Sequence, residues 1–316
     1  MSNLSDKELL EMMADFPKHE LSTKQRTDML KRISEAGTIK PRKPFNIQRL
    51  GAMAALFILA LIAPIFYFTN TAEEKNPGSG SSVITKAQEG DYFALKNEEG
   101  KPIYAGSNFG ITNKVSLLAP QDWIAKDKGT VAKMMIFLWG NYDYSKSLKV
   151  DAVHVKTGVK EHLAETPLSG GIYGTDAHTV TTFKPLPFSG VWNLQFTVGD
   201  KKVGAFSIYV KEPYITIGKS TLMISAEDLY AGFYEHEFIE VEGSNLPDEI
   251  ELEIFQLETA EESKFTFKKV ADYTTTDGKH ITEYGGGFTI KKSGKYRFTI
   301  LQQSEAVEVR KPVDGK

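Results

Sequence analysis

His154, His162, Asp176 and His178 fall within 25 residues of one another, and imidazole and carboxylate are the donors left for a zinc ion in a chain without cysteine. Three of them converging would make a metal site. Their placement does not force convergence, because His154 alternates within a strand pattern and His162 falls in a charged stretch read as a loop. Glu235-His236-Glu237 offers a second set of donors, but neighbours on a strand point to opposite faces, so a solvated face is expected there. Trp123, Trp139 and Trp192 could form a sugar platform. A β-sandwich routinely buries such rings, which is the expectation for Trp139 and Trp192, while Trp123 stands near Pro120 in a loop. No G-x-S-x-G, phosphate loop, H-E-x-x-H or dinucleotide fingerprint occurs. Tyr284-Gly285-Gly286-Gly287 lacks the lysine and helix of a phosphate loop and reads as a strand bend or bulge. No catalytic residue, cofactor or metal site is expected, and the chain reads as non-enzymatic.

The elements that would position these side chains belong to a chain of 316 residues, 41% hydrophobic, with a net charge of −3. That length suits two or three domains, and that charge argues against a dedicated nucleic-acid binder, which needs a concentrated basic face. The absence of cysteine excludes a disulfide framework, a thiol nucleophile and a lipid-modified N-terminal cysteine.

From Leu50 to Phe68 the chain runs nineteen residues without a charge. At about 1.5 Å per residue such a helix just spans a hydrocarbon core of roughly 30 Å. Lys40, Arg42, Lys43 and Arg49 precede it with no acid among them, whereas Glu73 and Glu74 follow it with only Lys75. The basic excess stays inside, which places the N-terminus in the cytoplasm and the C-terminal part outside a cell membrane crossed once. The forty-nine residues before the span are too many for the n-region of a cleaved signal peptide, so an uncleaved signal-anchor is expected.

Within residues 1–49, Ser5-x-x-Glu8 and Ser22-x-x-Gln25 are capping boxes that open two short helices. The first places Leu9, Met12, Met13 and Phe16 on one face, and the second carries Met29, Leu30 and Ile33. Helices this short cannot bury an apolar face alone, so these seven residues are the candidate contact for a cytosolic protein partner; the competing readings are a segment lying on the inner leaflet or two loosely paired, idle helices. The layout of amphipathic helices, one span and an exported C-terminal region resembles Gram-positive transmembrane anti-sigma factors, which implies a sigma factor as the partner. The zinc-binding version of that family uses a histidine and two cysteines; His19 stands here without any, which excludes that subtype.

Residues 70–89 begin with a Gly/Ser/Pro-rich spacer, and beyond them short β runs are broken by turn residues about every ten positions. The cadence predicts a mainly β fold of two immunoglobulin-like sandwich modules, at 90–212 and 213–311, with a tail at 312–316. Strands are predicted from Lys114, Lys133, Lys149, Thr179, Val191 and Lys202, the last two joined by a Gly199-Asp200 hairpin, then from Phe238, Ile250 and Lys264, with a turn at Asp277-Gly278. An internal repeat supports two modules: Ser189-Gly190-Val191-Trp192 recurs as Ser293-Gly294-Lys295-Tyr296, offset by 104 residues.

NKVSLLAP from Asn113, MMIFLWG from Met134, VHVKTGV from Val153 and LPFSGVWNL from Leu186 make the first module resemble an uncharacterised domain family of exported lipoproteins and membrane proteins of Bacillus and relatives. The resemblance implies fold and location, not chemistry. Residues 214–316 hold 19 acids against 12 bases, and the run from Asp248 reads as a solvated strand face. The expected function is that of an envelope sensor or regulator, with an unknown envelope protein or polymer at the exported modules. The alternative is an envelope-anchored interaction or structural protein with an idle tail.

Overall fold

The computed structural model describes residues 86–275 and 277–312, with Thr27 and Lys31 as exposed helical positions upstream. Leu9, Met12, Met13, Phe16, Met29, Leu30, Ile33 and the apolar run 50–68 lie outside the described residues. Among the described residues no helix is long and apolar enough to cross a membrane. The fold is mainly β.

The strands up to Lys211 are β1 (Asp91–Tyr92), β2 (Leu95–Lys96), β3 (Pro102–Ile103), β4 (Asn108–Ile111), β5 (Val115–Leu118), β6 (Trp123–Ile124) and β7 (Met134–Leu138). They continue as β8 (Ser147–His154), β9 (Lys160–Pro167), β10 (Ser169–Gly170), β11 (Ala177–Thr181), β12 (Gly190–Val198) and β13 (Lys201–Lys211). Two sheets, in the orders β1-β4-β5-β7-β11-β10 and β6-β13-β12-β8-β9, face each other across one core. Phe109 of β4 meets Phe206 of β13 edge-on across that core, with ring centroids 5.5 Å apart. β12 and β13 form the predicted hairpin, turning through Gly199-Asp200 between Val198 and Lys201. Lys86 and Gln88 are already docked on its outer side. Asn193 donates to the Lys86 carbonyl (2.8 Å), the Gln88 amide donates to the Ser207 hydroxyl (2.7 Å), and that hydroxyl donates to Asn193.

The tryptophans correct the sequence expectation. Trp192 and Trp123 are buried in the core, Trp123 stacking on Phe183. Trp139 is only half-buried, because the β2–β3 hairpin covers the outer face of the β7 sheet incompletely; its indole donates to the Gly174 carbonyl at 3.0 Å.

The second set comprises β14 (Tyr214–Ile217), β15 (Ser220–Ser225), β16 (Gly232–Glu242), β17 (Glu249–Gln256), β18 (Glu262–Thr274), β19 (His280–Ile290), β20 (Gly294–Ile300) and β21 (Gln303–Val309). These form one continuous antiparallel sheet, β14-β15-β16-β19-β18-β17-β20-β21, that curls round a second core until β14 approaches β21. The long β18–β19 pairing carries the sheet round, so this half departs from two separately bonded sheets. The glycine run sits at the tightest place. A Cβ at Gly286 would lie 2.8 Å from the buried Phe267 ring, and one at Gly287 would lie 2.7 Å from the Tyr234 carbonyl. The bulge falls on the facing strand β16, where Glu235 and His236 stand between the paired residues Tyr234 and Glu237. β17 shows the strict alternation expected of a half-buried strand: Ile250, Leu252, Ile254 and Gln256 face inward, while Glu249 and Glu253 pair across the strands with Lys268 and Lys264.

The repeat is a repeat of structure. The order β13-β12-β8-β9 recurs as β21-β20-β17-β18. Gly190 and Gly294 both take positive φ (123° and 135°), and the aromatic two residues on bonds back to the carbonyl four residues upstream: Trp192 to Phe188 at 3.1 Å, Tyr296 to Lys292 at 2.8 Å. Opposite those rings sit His154 and Gln256, each buried at its strand's end. Each is held by the threonine three residues on, Thr157 or Thr259, at 2.8 Å, and each turn then passes through a positive φ at Gly158 or Ala260.

Two stability outcomes follow from this packing. Gly286→Ala should cost about 1–3 kcal/mol by driving a methyl into Phe267, lowering Tm by several degrees, whereas Gly170→Ala, with nothing within 4 Å, should be neutral. Thermal unfolding of both variants checks this. Burial holds the His154 pKa below the usual histidine range, so folding disfavours its protonated form. Stability is therefore full above about pH 6.5 and declines as pH falls through the folded value. His154→Gln, the residue the second copy uses, should keep the fold and flatten that decline in urea titrations between about pH 7 and 5.

Candidate functional site

Only Glu212 and Pro213 separate β13 from β14, so the two cores are joined by almost no slack. Asp122, just before β6, Lys211, at the end of β13, and Asp228, in the short 3-10 turn Ala226–Asp228, meet at that junction. The Lys211 ammonium lies 2.9 Å from Asp122 and 2.6 Å from Asp228. Glu227 is fully buried beside them, accepting from the Tyr209 hydroxyl at 2.9 Å and the Glu212 amide at 3.3 Å. Arg310 and Glu212 add an ion pair at 3.2 Å. Burial alone would push Lys211 down, but Asp122 and Asp228 outweigh it and hold the lysine above its usual range. Burial pushes Asp122 up despite the lysine.

This junction sets the loop 125–130 of the first unit over the outer sheet face of the second, leaving an open cleft of about 860 Å³ between them. β6 pairs in parallel with β13 and aims the loop, and Asp127 holds its shape by accepting from the amides of Gly129 (2.8 Å) and Thr130 (3.2 Å). The floor comes from β14, β15, β16, β18 and β19, with Tyr214, Met223, Glu240, Tyr273 and Ile281. Tyr214 donates to Asp127 at 3.4 Å, and Tyr273 donates to Glu240 at 2.7 Å. Burial and the neighbouring carboxylates raise both phenols well above the ordinary tyrosine value, so each keeps its proton and acts as a hydrogen-bonding group rather than a base. At the mouth, Lys128 reaches from the loop to Asp277 in the β18–β19 turn at 2.8 Å. Hydrogen bonds from Lys128 and Thr275 hold Asp277 down to about 2, so this exposed strap stays ionised until strongly acid pH. Thr130 lines the cleft, but its hydroxyl is buried away from it and has no hydrogen-bond partner among the described residues.

The histidines singled out in the sequence do not meet. His154 is packed between Phe188 and Trp192. His162 lies in strand β9, not a loop, and bonds Asp151 across the ladder at 2.9 Å. His178 bonds the Gly170 carbonyl at 2.5 Å, and Asp176 accepts from the Gly140 amide at 2.6 Å. Among the described residues no group of three or more potential ligands could hold a metal ion. His236 and Glu235 are exposed at the β16 bulge. Sequence spacing gave no sign of the cleft, whose groups come from positions 127, 214, 240, 273 and 277 and are brought together only by the junction.

No protein-family model matches the chain, and no curated protein sequence does. Among solved structures it is similar to the ectodomain of a teleost fish polymeric Ig receptor, at 15% identity over 61% of this chain and 97% of that one, with a TM-score of 0.24. At that score the likeness carries no argument.

Lys211→Met tests the junction. It leaves Asp122 and Asp228 facing each other beside Glu227 without their cation, and should cost roughly 3 kcal/mol, the low end for a broken buried pair because both carboxylates keep partial exposure. In the unaltered chain the lysine's raised pKa means this contribution is complete below about pH 10.4 and is lost only as pH rises through the higher folded value. Denaturant titration of the two chains at neutral and strongly alkaline pH should therefore show a gap that narrows with alkali.

Proposed function

We propose that this chain is a non-enzymatic single-pass membrane protein that presents its two β modules, immunoglobulin-like in plan, outside the cell. Its cytoplasmic residues 1–49 bind a cytosolic protein, a sigma factor, so that the whole acts as an envelope sensor or regulator. One observation carries the reading: the uncharged run from Leu50 to Phe68, with four basic residues before it and none of them offset by acid, stands between an amphipathic tail and a β body. A body free of cysteine, held by two large apolar cores, is consistent with life outside the cell without disulfides. The four-residue junction of Lys211, Asp122, Asp228 and Glu227 supports treating the modules as one unit rather than two beads on a string.

The cysteine-free chain makes the topology directly measurable. A membrane-impermeant maleimide should label Ser145→Cys, an exposed loop position, in intact cells, and Ser2→Cys only after permeabilisation. The reverse pattern would remove the orientation. With orientation established, Leu9→Asp combined with Met13→Asp should abolish capture of a sigma factor by the full-length protein without changing either labelling result. Unchanged capture, or none by the unaltered chain, would remove the regulator and leave an anchored interaction protein.

A further inference from the structure

We propose that the cleft between loop 125–130 and the second sheet is a binding site for a neutral oligosaccharide. This deepens the reading above by naming what the exported unit takes, but its geometry stands without the membrane placement.

The cleft volume of about 860 Å³ lies in the range of small-ligand sites, roughly 300–1,000 Å³. Its lining is amphipathic in a particular way. Met223, Ile281 and the two tyrosine rings offer apolar surface, and carboxylate and hydroxyl oxygens stand around them. A pyranose has that character in reverse, a face of C–H groups and a rim of hydroxyls, so ring faces meet its carbons and carboxylates accept from its hydroxyls.

Charge selects against ionic ligands. The charges lining the cleft balance, Lys126, Lys128 and Lys279 against Asp127, Glu240 and Asp277, with Lys128 paired to Asp277 and Lys279 to Glu242, so the lining presents no excess of either sign. Asp127 and Glu240 are each engaged by a phenol, and Asp127 also by two amides, which spreads their charge over donors already in place. A lysine or arginine side chain entering here would have to displace those donors, whereas a sugar hydroxyl uses the remaining lone pairs.

Titration of the purified full-length protein in detergent with cellotetraose and with chitotetraose decides the matter, followed by calorimetry. Saturable binding of either, with a Kd of about 1 mM or tighter, is expected. Tyr273→Phe with Glu240→Gln should weaken it at least tenfold, and Tyr144→Phe, on an exposed loop away from the cleft, should leave it unchanged. Should the double variant unfold, Thr216→Trp carries the test, because this exposed position lines the cleft, so the larger ring should leave Tm unchanged yet obstruct the site and weaken binding severalfold. Saturation by neither sugar, binding untouched by both cleft variants, or saturation by tetralysine in place of the sugars overturns the proposal. Because the measurement uses protein out of the membrane, its failure leaves the maleimide result, and the topology it reports, intact.

Discussion

One lysine between two aspartates organises this molecule. With two residues between β13 and β14, the second core has to be placed by contacts at the joint itself, and Lys211 is the group that both sides share. Burying an ammonium is expensive unless its partners are close and themselves bonded. Here Asp122 comes from the first unit, Asp228 from the second, and Glu227 is held by Tyr209 and the Glu212 amide. An apolar joint of the same size could slide; an ion between two fixed carboxylates cannot without exposing one of them. The orientation it sets brings loop 125–130 over the second sheet and creates the cleft, which the Lys128–Asp277 strap then spans at its mouth.

Behind that joint lies a duplicated piece of architecture. Both units contain the same four-strand order and the same end-of-strand turn, down to the threonine that pins a buried polar side chain and the positive φ that follows it. The turn survives exchange of His154 for Gln256 and Gly158 for Ala260 because what it requires is an acceptor facing the threonine hydroxyl and a backbone able to enter the left-handed region. The remaining strands diverge. In the first unit they make a second sheet, and in the second the β18–β19 hairpin runs continuously round the core, which the glycines at 286 and 287 permit where side chains would collide with Phe267 and the Tyr234 carbonyl.

Much of this was legible in the order of residues, and the failures have physical causes. β12, β13 and β17 were readable because apolar residues alternate in them and turn residues bound them. The Ser-Gly repeat was readable because glycine is nearly obligatory at those positive φ values. β9 was not, since KEHLAETP is an edge strand whose exposed side carries Lys160, His162 and Glu165, a composition that also describes a loop. Trp139 looked like core because ring type says nothing of which sheet face lacks a full cover. The cleft left no local trace at all: a carboxylate in one loop and phenols in two distant strands have no sequence period, and their meeting is a consequence of the joint.

The strand that reaches the joint also holds the start of the described chain. β13 carries Lys211 at one end and, four residues earlier, Ser207, whose hydroxyl accepts from the Gln88 amide; its neighbour Asn193 grips the Lys86 carbonyl. Residues 86–88 are where the spacer from the apolar run arrives, so the β12–β13 hairpin is mechanically common to the spacer and the cleft. A ligand held between loop 125–130 and the second sheet would touch both units beside the joint, but shared structure is not yet coupling. It becomes coupling only if the ligand's affinity differs between two arrangements of the joint, by an amount equal to the shift it produces. The lysine node makes such arrangements few and discrete, since Lys211 either bridges Asp122 and Asp228 or leaves one of them bare. That is the condition under which a small event in the cleft could be felt along β13 as a change in how the spacer is held.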